Sequence, residues 1–371
     1  ARLNDEFLTR SLRLVRARGI LTPFFAVIAA LGTLIVLWAG GRQVIAGRLT
    51  IGGLTAFNAY LAYLSWPTVA LGFVLSIWQR GIAGWDRVRT LLSTTCEIRD
   101  SAAVAASMRD GTGLAVGGLE PSIEARGITV ARGGRTILDK VSFTLPAGGT
   151  LAIVGPTGAG KTTLVDTIPR LQEVAPGTLL IGGHDVRDIP LPRLRGLIGY
   201  APQEAFLFSA TVAENIGFSR GGSGAMVAAE VRAAAEAAGL GADIGALPEG
   251  YETVVGERGI TLSGGQRQRV ALARALAAEP QILILDDSLS SVDASTEKEI
   301  LSRLRPILRG RTSILISHRV AAVKDADQIL VLDQGRVAEC GTHLQLLSSG
   351  GLYAQLYREQ LAAAALAEAP A

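Results

Sequence analysis

The fold of this chain is decided by the stretch Gly155-Pro156-Thr157-Gly158-Ala159-Gly160-Lys161-Thr162, which has the pattern G-x-x-x-x-G-K-[ST]. The apolar run Leu151–Val154 before it predicts a buried strand, and the residues from Thr163 to Arg170 predict the start of a helix. Strand, glycine loop and helix are the setting of a phosphate-binding loop, because glycines let backbone N–H groups turn towards phosphate oxygens. The helix N-terminus adds partial positive charge. We therefore predict that this loop and Thr163 bind a nucleotide, with Lys161 at the β- and γ-phosphates and the Thr162 hydroxyl on Mg²⁺.

The composition suggests two unlike regions. A length of 371 residues is typical of about two domains. The mean hydropathy of +0.34 is high for a wholly soluble protein, and much of the excess lies in the first 80 or so residues. The net charge of +3 predicts no strong interaction with nucleic acid. Cys96 and Cys340 have no metal-ligand spacing and form no disulfide framework.

Two uncharged runs at the start of the chain predict a helical membrane hairpin. They cover residues 19–41 and 49–79, and each is long enough to cross a bilayer, so we predict spans at about 19–41 and 51–79. Arginines flank the pair on both outer sides more densely than in the loop between them, which predicts that both ends are cytoplasmic. The alternative is a pair of buried core helices in a soluble domain.

After the hairpin, the pattern changes twice. Residues 1–92 form the predicted membrane region, and residues 93–121 are rich in alanine, serine and glycine, which predicts a linker. Short apolar runs then alternate with helical stretches over residues 122–350, which predicts an α/β domain with a largely parallel sheet. The predicted strands are Thr178–Ile181, Leu197–Tyr200, Ile282–Leu285, Ser313–Ile316 and Ile329–Leu332, and the predicted helices are Ala225–Ala238 and Gln266–Ala278. Residues 351–371 predict a helical tail with frayed ends.

Two further motifs accompany the phosphate loop. The run Ile282–Asp286 predicts a buried strand that delivers Asp286 to its C-terminal end, where the carboxylate can bind Mg²⁺. The sequence Leu262-Ser263-Gly264-Gly265-Gln266 precedes a predicted helix, so it predicts a second helix N-terminus that can bind an anion such as phosphate. Because the chain's own loop already holds one nucleotide, we predict that the second start contacts a nucleotide held by another chain.

The LSGGQ sequence beside a phosphate loop and an apolar strand ending in Asp resembles the signature of the ATP-binding cassette transporters. The stretch Tyr251–Arg269 resembles the exporter branch, and the resemblance covers essentially the whole chain. The hairpin resembles the fifth and sixth transmembrane helices of an exporter half, a resemblance that implies four further spans. The implied fold is a membrane α-helical hairpin, the C-terminal part of an exporter transmembrane domain, followed by an α/β P-loop NTPase cassette domain.

The resemblance also implies roles for single residues. Gln203, in Tyr-Ala-Pro-Gln, matches the glutamine that contacts Mg²⁺ and links the site to the membrane helices. The stretch Ser290–Asp293 matches the loop that communicates across the cassette dimer. His318, in Ser-His-Arg after a predicted strand, matches the switch histidine that contacts the γ-phosphate.

The sequence departs from the family pattern at two positions. Asp287 stands where fully active cassettes carry Glu as the general base, and the shorter side chain lacks about 1.5 Å of reach, one C–C bond. A misplacement of that size can cost roughly a hundredfold in rate. Arg132 stands where an aromatic residue usually stacks on adenine, and a guanidinium plane can stack in the same way.

The resemblance and these departures together predict one subunit of a heterodimeric exporter in the cell membrane. Its ATP-binding domain is cytoplasmic, it binds ATP and Mg²⁺, and its own site hydrolyses slowly while its LSGGQ completes the partner's site. The predicted partners are a second half-transporter, membrane lipid and a drug, lipid or peptide substrate, and no nucleic acid. The alternatives are a homodimeric exporter, a soluble ATPase of the same class, and a membrane scaffold that binds ATP without turnover.

Overall fold

The computed structural model describes residues 2–110, 119–220, 228–256 and 262–368. It divides into two compact units, Ala1–Thr95 and Cys96–Ala371. The α-helices are α1 (Arg2–Ile45), α2 (Ile51–Ser93), α3 (Ala102–Arg109), α4 (Lys161–Asp166), α5 (Leu191–Gly196), α6 (Val212–Gly217), α7 (Ala228–Ala237), α8 (Gly241–Ala246), α9 (Gly264–Ala277), α10 (Ala294–Leu308), α11 (Val320–Val323), α12 (His343–Ser349) and α13 (Leu352–Glu368). The strands are β1 (Ile123–Arg132), β2 (Arg135–Leu145), β3 (Thr150–Val154), β4 (Leu179–Ile181), β5 (His184–Asp185), β6 (Ile198–Ala201), β7 (Ile282–Asp286), β8 (Thr312–Ile316), β9 (Gln328–Asp333) and β10 (Arg336–Gly341).

The first unit consists of the two long helices α1 and α2. The helix α2 begins after Thr50, whose hydroxyl accepts a hydrogen bond from the Gly53 N–H at 3.0 Å. Both helices extend beyond the uncharged runs because the flanking charged segments are also helical. Within the residues that the structure describes, no helix combines the length and the apolarity needed to cross a membrane. The spans at 19–41 and 51–79 therefore remain a prediction.

The segment expected to be a linker contains structure of its own. The helix α3 lies inside residues 93–121 and begins at the N-cap Ser101. Just before it, the Asp100 carboxylate accepts the Leu191 N–H at 3.1 Å and lies 3.6 Å from the Arg170 guanidinium. Residues 96–110 therefore belong to the second unit, while residues 111–118 of the predicted linker lie outside the described part of the chain.

The second unit is organised around a six-stranded sheet with the order β10-β9-β3-β8-β7-β6. The strands β9, β3, β8, β7 and β6 pair in parallel, and only the terminal pairing of β10 with β9 is antiparallel. Four of the five predicted strands form in this sheet, as β6, β7, β8 and β9, whereas the predicted strand Thr178–Ile181 forms β4 of a separate antiparallel sheet. The helix predicted at Gln266 starts two residues earlier because Ser263 is its N-cap, and the first three residues of the helix predicted over Ala225–Ala238 lie outside the described residues.

A second, antiparallel sheet with the order β2-β1-β4-β5 covers one face of the parallel sheet. Alternate residues of β3 point to opposite sides, so Leu151 and Ile153 join the core between the sheets while Ala152 and Val154 join the helical core. Both cores are tightly buried, which fixes the strand ends, and the loops that follow them, in space.

The C-terminal tail is helical as predicted, but its first part is docked rather than frayed. The side chain of Tyr353, at the start of α13, is fully buried. The Glu339 carboxylate of β10 accepts hydrogen bonds from the N–H groups of Leu352 and Tyr353. The tail is thus part of the second unit, and its last three residues lie outside the described part of the chain.

Candidate nucleotide-binding site

The glycine loop joins β3 to α4 in a conformation that side chains would block. Gly155 has φ +149°, and a Cβ atom there would overlap the backbone carbonyl of Leu332 in β9. Gly160 has φ +98°, and a Cβ atom would lie 2.8 Å from the side chain of Leu138. Glycine is therefore required at both positions, so that the backbone can approach its neighbours and turn its N–H groups inward.

A cavity of about 220 Å³ opens in front of this loop. It brings together residues from five separate parts of the sequence, and its lining includes Ile137, Thr157, Gly158, Gly160, Lys161, Thr162, Thr163, Gln203, Asp286, Asp287 and His318. The convergence follows from the strand order, because the C-terminal ends of β3, β7 and β8 meet at one edge of the parallel sheet. Such an edge is where ligands bind in open α/β sheets.

Lys161 supplies the positive charge of this cavity. It is 7% exposed, and its ammonium group donates hydrogen bonds to the carbonyls of Gly155 at 2.8 Å and Pro156 at 2.9 Å. Burial lowers the pKa of Lys161, and the nearby carboxylates of Asp287 and Asp286 oppose that shift. The phosphate groups of a nucleotide would add negative charge beside the ammonium and favour its charged form.

The oxygen atoms around Asp286 fit a magnesium ion. Asp286 is 1% exposed, and its Oδ1 atom is buried with no hydrogen-bond partner among the described residues. Burial raises the pKa of this carboxyl group, which a bound cation would reverse. The residues that would hold Mg²⁺ are Thr162, Gln203 and Asp286, and a single carboxylate suits an ion that takes its remaining ligands from phosphate and water. Bound there, Mg²⁺ would neutralise charge on the β- and γ-phosphates.

Asp287 follows Asp286 at the end of β7 and lines the cavity beside His318. Its φ of +45° is in the left-handed region, and its N–H donates to the carbonyl of Ile316 at 2.9 Å. Its Oδ2 atom is 4.0 Å from His318 Nε2. Burial raises the pKa of Asp287, while His318 and Lys161 oppose the shift. A carboxylate with a raised pKa, aimed into a phosphate-binding cavity, has the properties of a general base.

Arg132 and the helix start at Ser263 lie away from this cavity, and the loop residues Gly155, Pro156 and Ala159 are also not among its described lining residues. Arg132 is exposed at the end of β1. Ser263 caps α9, where its hydroxyl accepts the Gln266 N–H at 3.2 Å and the Gln266 side chain accepts the Ser263 N–H at 2.9 Å. The structure thus places the helix start Ser263-Gly264-Gly265-Gln266 outside the chain's own cavity. Their roles towards a nucleotide remain predictions.

The sequence reasoning missed two residues that support the site. The Tyr200 hydroxyl donates to Asp166 at 3.0 Å and lies 3.5 Å from Asp286 Oδ2. The buried Gln268 amide donates to the Gln203 carbonyl at 3.3 Å and to Ser290 Oγ at 2.9 Å. A polar residue inside an apolar strand was the available signal for Tyr200. For Gln268, the sequence offers only a polar position on a helix that follows a glycine motif.

The fold and the cavity define a P-loop nucleotide-binding domain that carries a second glycine-rich helix start. Residues 138–290 match the family described as ABC transporter, and residues 1–68 match the ABC transporter transmembrane region. The chain belongs to the ABC transporter family. This membership confirms the predicted fold class and the predicted location in the cell membrane, with the ATP-binding domain on the cytoplasmic side.

Individual ABC transporters are similar to this chain over most of its length. The probable multidrug resistance ABC transporter ATP-binding/permease protein YheI of Bacillus subtilis is 40% identical over 92% of this chain and 57% of its own length. The ATP-dependent lipid A-core flippase of Methylococcus capsulatus is 39% identical over 99% of this chain and 59% of its own length. The structure of a bacterial Atm1-family ABC exporter with ATP bound superposes with a TM-score of 0.71 at 37% identity, covering 94% of this chain and 59% of the exporter. The chain thus spans less than two thirds of these relatives.

Proposed function

We propose that the protein uses ATP to export an apolar or amphiphilic substrate as one subunit of a heterodimeric exporter. The observation that carries the proposal is the cavity, in which the glycine loop, Lys161, Asp286 and His318 converge with Asp287, the residue we propose as the general base. Relatives named for multidrug resistance and for lipid A-core transport support an apolar or amphiphilic substrate.

In the proposed cycle, ATP joins two cassettes. Lys161 binds the β- and γ-phosphates, His318 contacts the γ-phosphate, and Asp287 orients the attacking water at this chain's own site. The helix start at Ser263 faces the nucleotide of the partner. Because the γ-phosphate completes contacts from both chains, ATP favours the closed dimer more than ADP does, and closure moves the membrane helices.

The first unit supports a membrane role within this proposal. Many of its large apolar side chains are exposed, including Trp38, Trp66 and Trp78, at 66%, 73% and 67%. Exposed apolar surface on this scale requires a covering partner, and lipid together with neighbouring helices would provide it.

One observation favours a homodimeric exporter as the second candidate. The shorter Asp287 side chain already reaches to 4.0 Å from His318 Nε2, so a competent base at this position is geometrically reasonable. Both candidates need the same cavity, and they differ in whether the chain's own site turns over.

The test is the steady-state ATPase activity of the protein in lipid nanodiscs, alone and mixed with the half-transporter proposed as its partner. The heterodimer predicts little activity alone, activity in the mixture, and loss of that activity on Ser263→Ala substitution. Thr342→Ala is the matched control, because it removes another N-cap hydroxyl where Gln345 closes the same kind of capping box at the start of α12. Normal turnover by the protein alone would support the homodimer instead.

A further inference from the structure

The C-terminal helix α13 contacts the loop that carries His318. The Gln360 side-chain amide Nε2 donates a hydrogen bond to the backbone carbonyl of His318. Its Oε1 atom accepts the N–H of Val320 at 2.7 Å. One side chain therefore satisfies a backbone acceptor and a backbone donor on the two sides of Arg319.

The backbone of this loop controls where the His318 imidazole points. The His318 side chain is 43% exposed, so close packing does not fix the ring. Arg319 also holds this loop in place. Its N–H donates to Ser317 Oγ at 3.0 Å, and its guanidinium donates to the Glu297 carboxylate and the Val292 carbonyl. The hydrogen bonds of Gln360 to His318 and Val320 attach the same loop to α13.

The helix that carries Gln360 is itself anchored. Tyr353 is fully buried, and its hydroxyl lies 2.7 Å from His343 Nδ1. Glu339 accepts the first N–H groups of the helix, including that of Tyr353 at 3.3 Å. Gln360 lies seven residues, about two turns, beyond Tyr353, so the docked end of the helix fixes the direction of its side chain.

We propose that Gln360 is a positioning residue for His318, and that α13 is therefore part of the ATP-sensing apparatus. This inference rests on the proposed function, in which His318 contacts the γ-phosphate. Without the amide, the His318 carbonyl and the Val320 N–H lose their partner, and the loop no longer holds the imidazole towards the cavity. A γ-phosphate contact distinguishes ATP from ADP, so its loss lowers the preference for ATP by about tenfold, the worth of one good hydrogen bond.

The experiment measures binding of fluorescently labelled ATP and ADP to the protein in nanodiscs, in the assembly that the ATPase assay identifies as functional. Gln360→Ala should weaken ATP binding about tenfold and leave ADP binding unchanged. Gln360→Glu keeps the size and the acceptor but removes the donor, and it should weaken ATP binding in the same way. A role in packing alone would leave Gln360→Glu close to the wild type.

Gln355→Ala is the matched control, because Gln355 is an exposed glutamine on the same helix that bonds Glu359 rather than the loop. The His318→Ala variant measures the whole decrease in ATP binding that loss of the imidazole causes. Adding Gln360→Ala to His318→Ala should weaken ATP binding no further. If His318→Ala weakens ATP binding and Gln360→Ala does not, the positioning role is wrong and the proposed function stands. If His318→Ala itself leaves the preference for ATP unchanged, the γ-phosphate contact of the proposed function is wrong, and the role of Gln360 is wrong with it.

Discussion

Replacing Asp287 by glutamate tests whether side-chain length limits the chain's own site. Asp287 Oδ2 lies 4.0 Å from His318 Nε2, at the edge of the nucleotide cavity. Glutamate extends the carboxylate by about 1.5 Å, one C–C bond. Because a 1 Å error in placing a reacting group can cost about a hundredfold, we expect Asp287→Glu to raise ATPase turnover by about 10- to 100-fold. That increase corresponds to a barrier lower by about 1.4 to 2.7 kcal/mol.

The same substitution has an opposing effect on stability. Asp287 has φ +45°, and aspartate is one of the few residues that adopt the left-handed region readily. Glutamate is less suited to it, so we expect the free energy of unfolding to fall by roughly 1 kcal/mol or less. A faster but slightly less stable variant is therefore the expected combination.

The assay is phosphate release by the purified protein in nanodiscs, at saturating ATP, alone and with the partner. Asp287→Asn is the isosteric control and should remove the residual activity, because an amide cannot accept the proton. Asp286→Glu controls for an unspecific effect of a longer acid, and it should reduce activity because Asp286 is 1% exposed and lacks room for another methylene. Equal turnover with aspartate and glutamate at position 287 would show that the length of this side chain does not limit ATP hydrolysis.

The other predictions concern binding and stability. Lys161→Ala should weaken ATP binding by about 10- to 100-fold, through loss of a charged hydrogen bond, whereas the exposed Lys298 should tolerate the same change in a nucleotide-binding assay. Gly155→Ala should lower the free energy of unfolding by about 3 kcal/mol or more, and Gly158→Ala by only about 1 kcal/mol, since both have positive φ but only the first would place a Cβ against backbone. Burial raises the pKa of Glu297, so its stabilising contribution is present below the unfolded pKa and is lost as pH rises through the folded pKa. Thermal unfolding should therefore show the stability of Glu297→Gln gaining on that of the wild type as the pH rises above about 4.3, the ordinary pKa of glutamate, and a constant difference would contradict this.

Much of the nucleotide-binding domain could be predicted because its signals are local. The run Ile282–Leu285 is uniformly apolar, as a strand buried on both faces must be, and it forms the centre of β7. Gly155 and Gly160, the two glycines that define the loop pattern, mark backbone positions where a Cβ atom does not fit. Such constraints act on neighbouring residues, so they can be recognised in sequence.

The remaining features depend on contacts between distant residues. Nothing near Gln360 in the sequence indicates that its amide binds the backbone at His318, 42 residues away. The Ala-rich tail predicted fraying, because helix propensity alone gives no information about the buried Tyr353. Likewise, composition predicted a linker where Asp100 in fact faces the buried Arg170.

The position of β3 in the parallel sheet affects the order in which the nascent chain can fold during its synthesis. This strand lies between β8 and β9, which begin 162 and 178 residues after it in the sequence, and Gly155 packs on the backbone of β9. A nascent chain that ends before β9 leaves one edge of β3 unpaired, and one that ends before β8 leaves both edges unpaired. The antiparallel sheet β2-β1-β4-β5, by contrast, needs only residues up to Asp185 and can form early. We therefore expect the nucleotide cavity to form late in the folding of the nascent chain, after β9 has been synthesised.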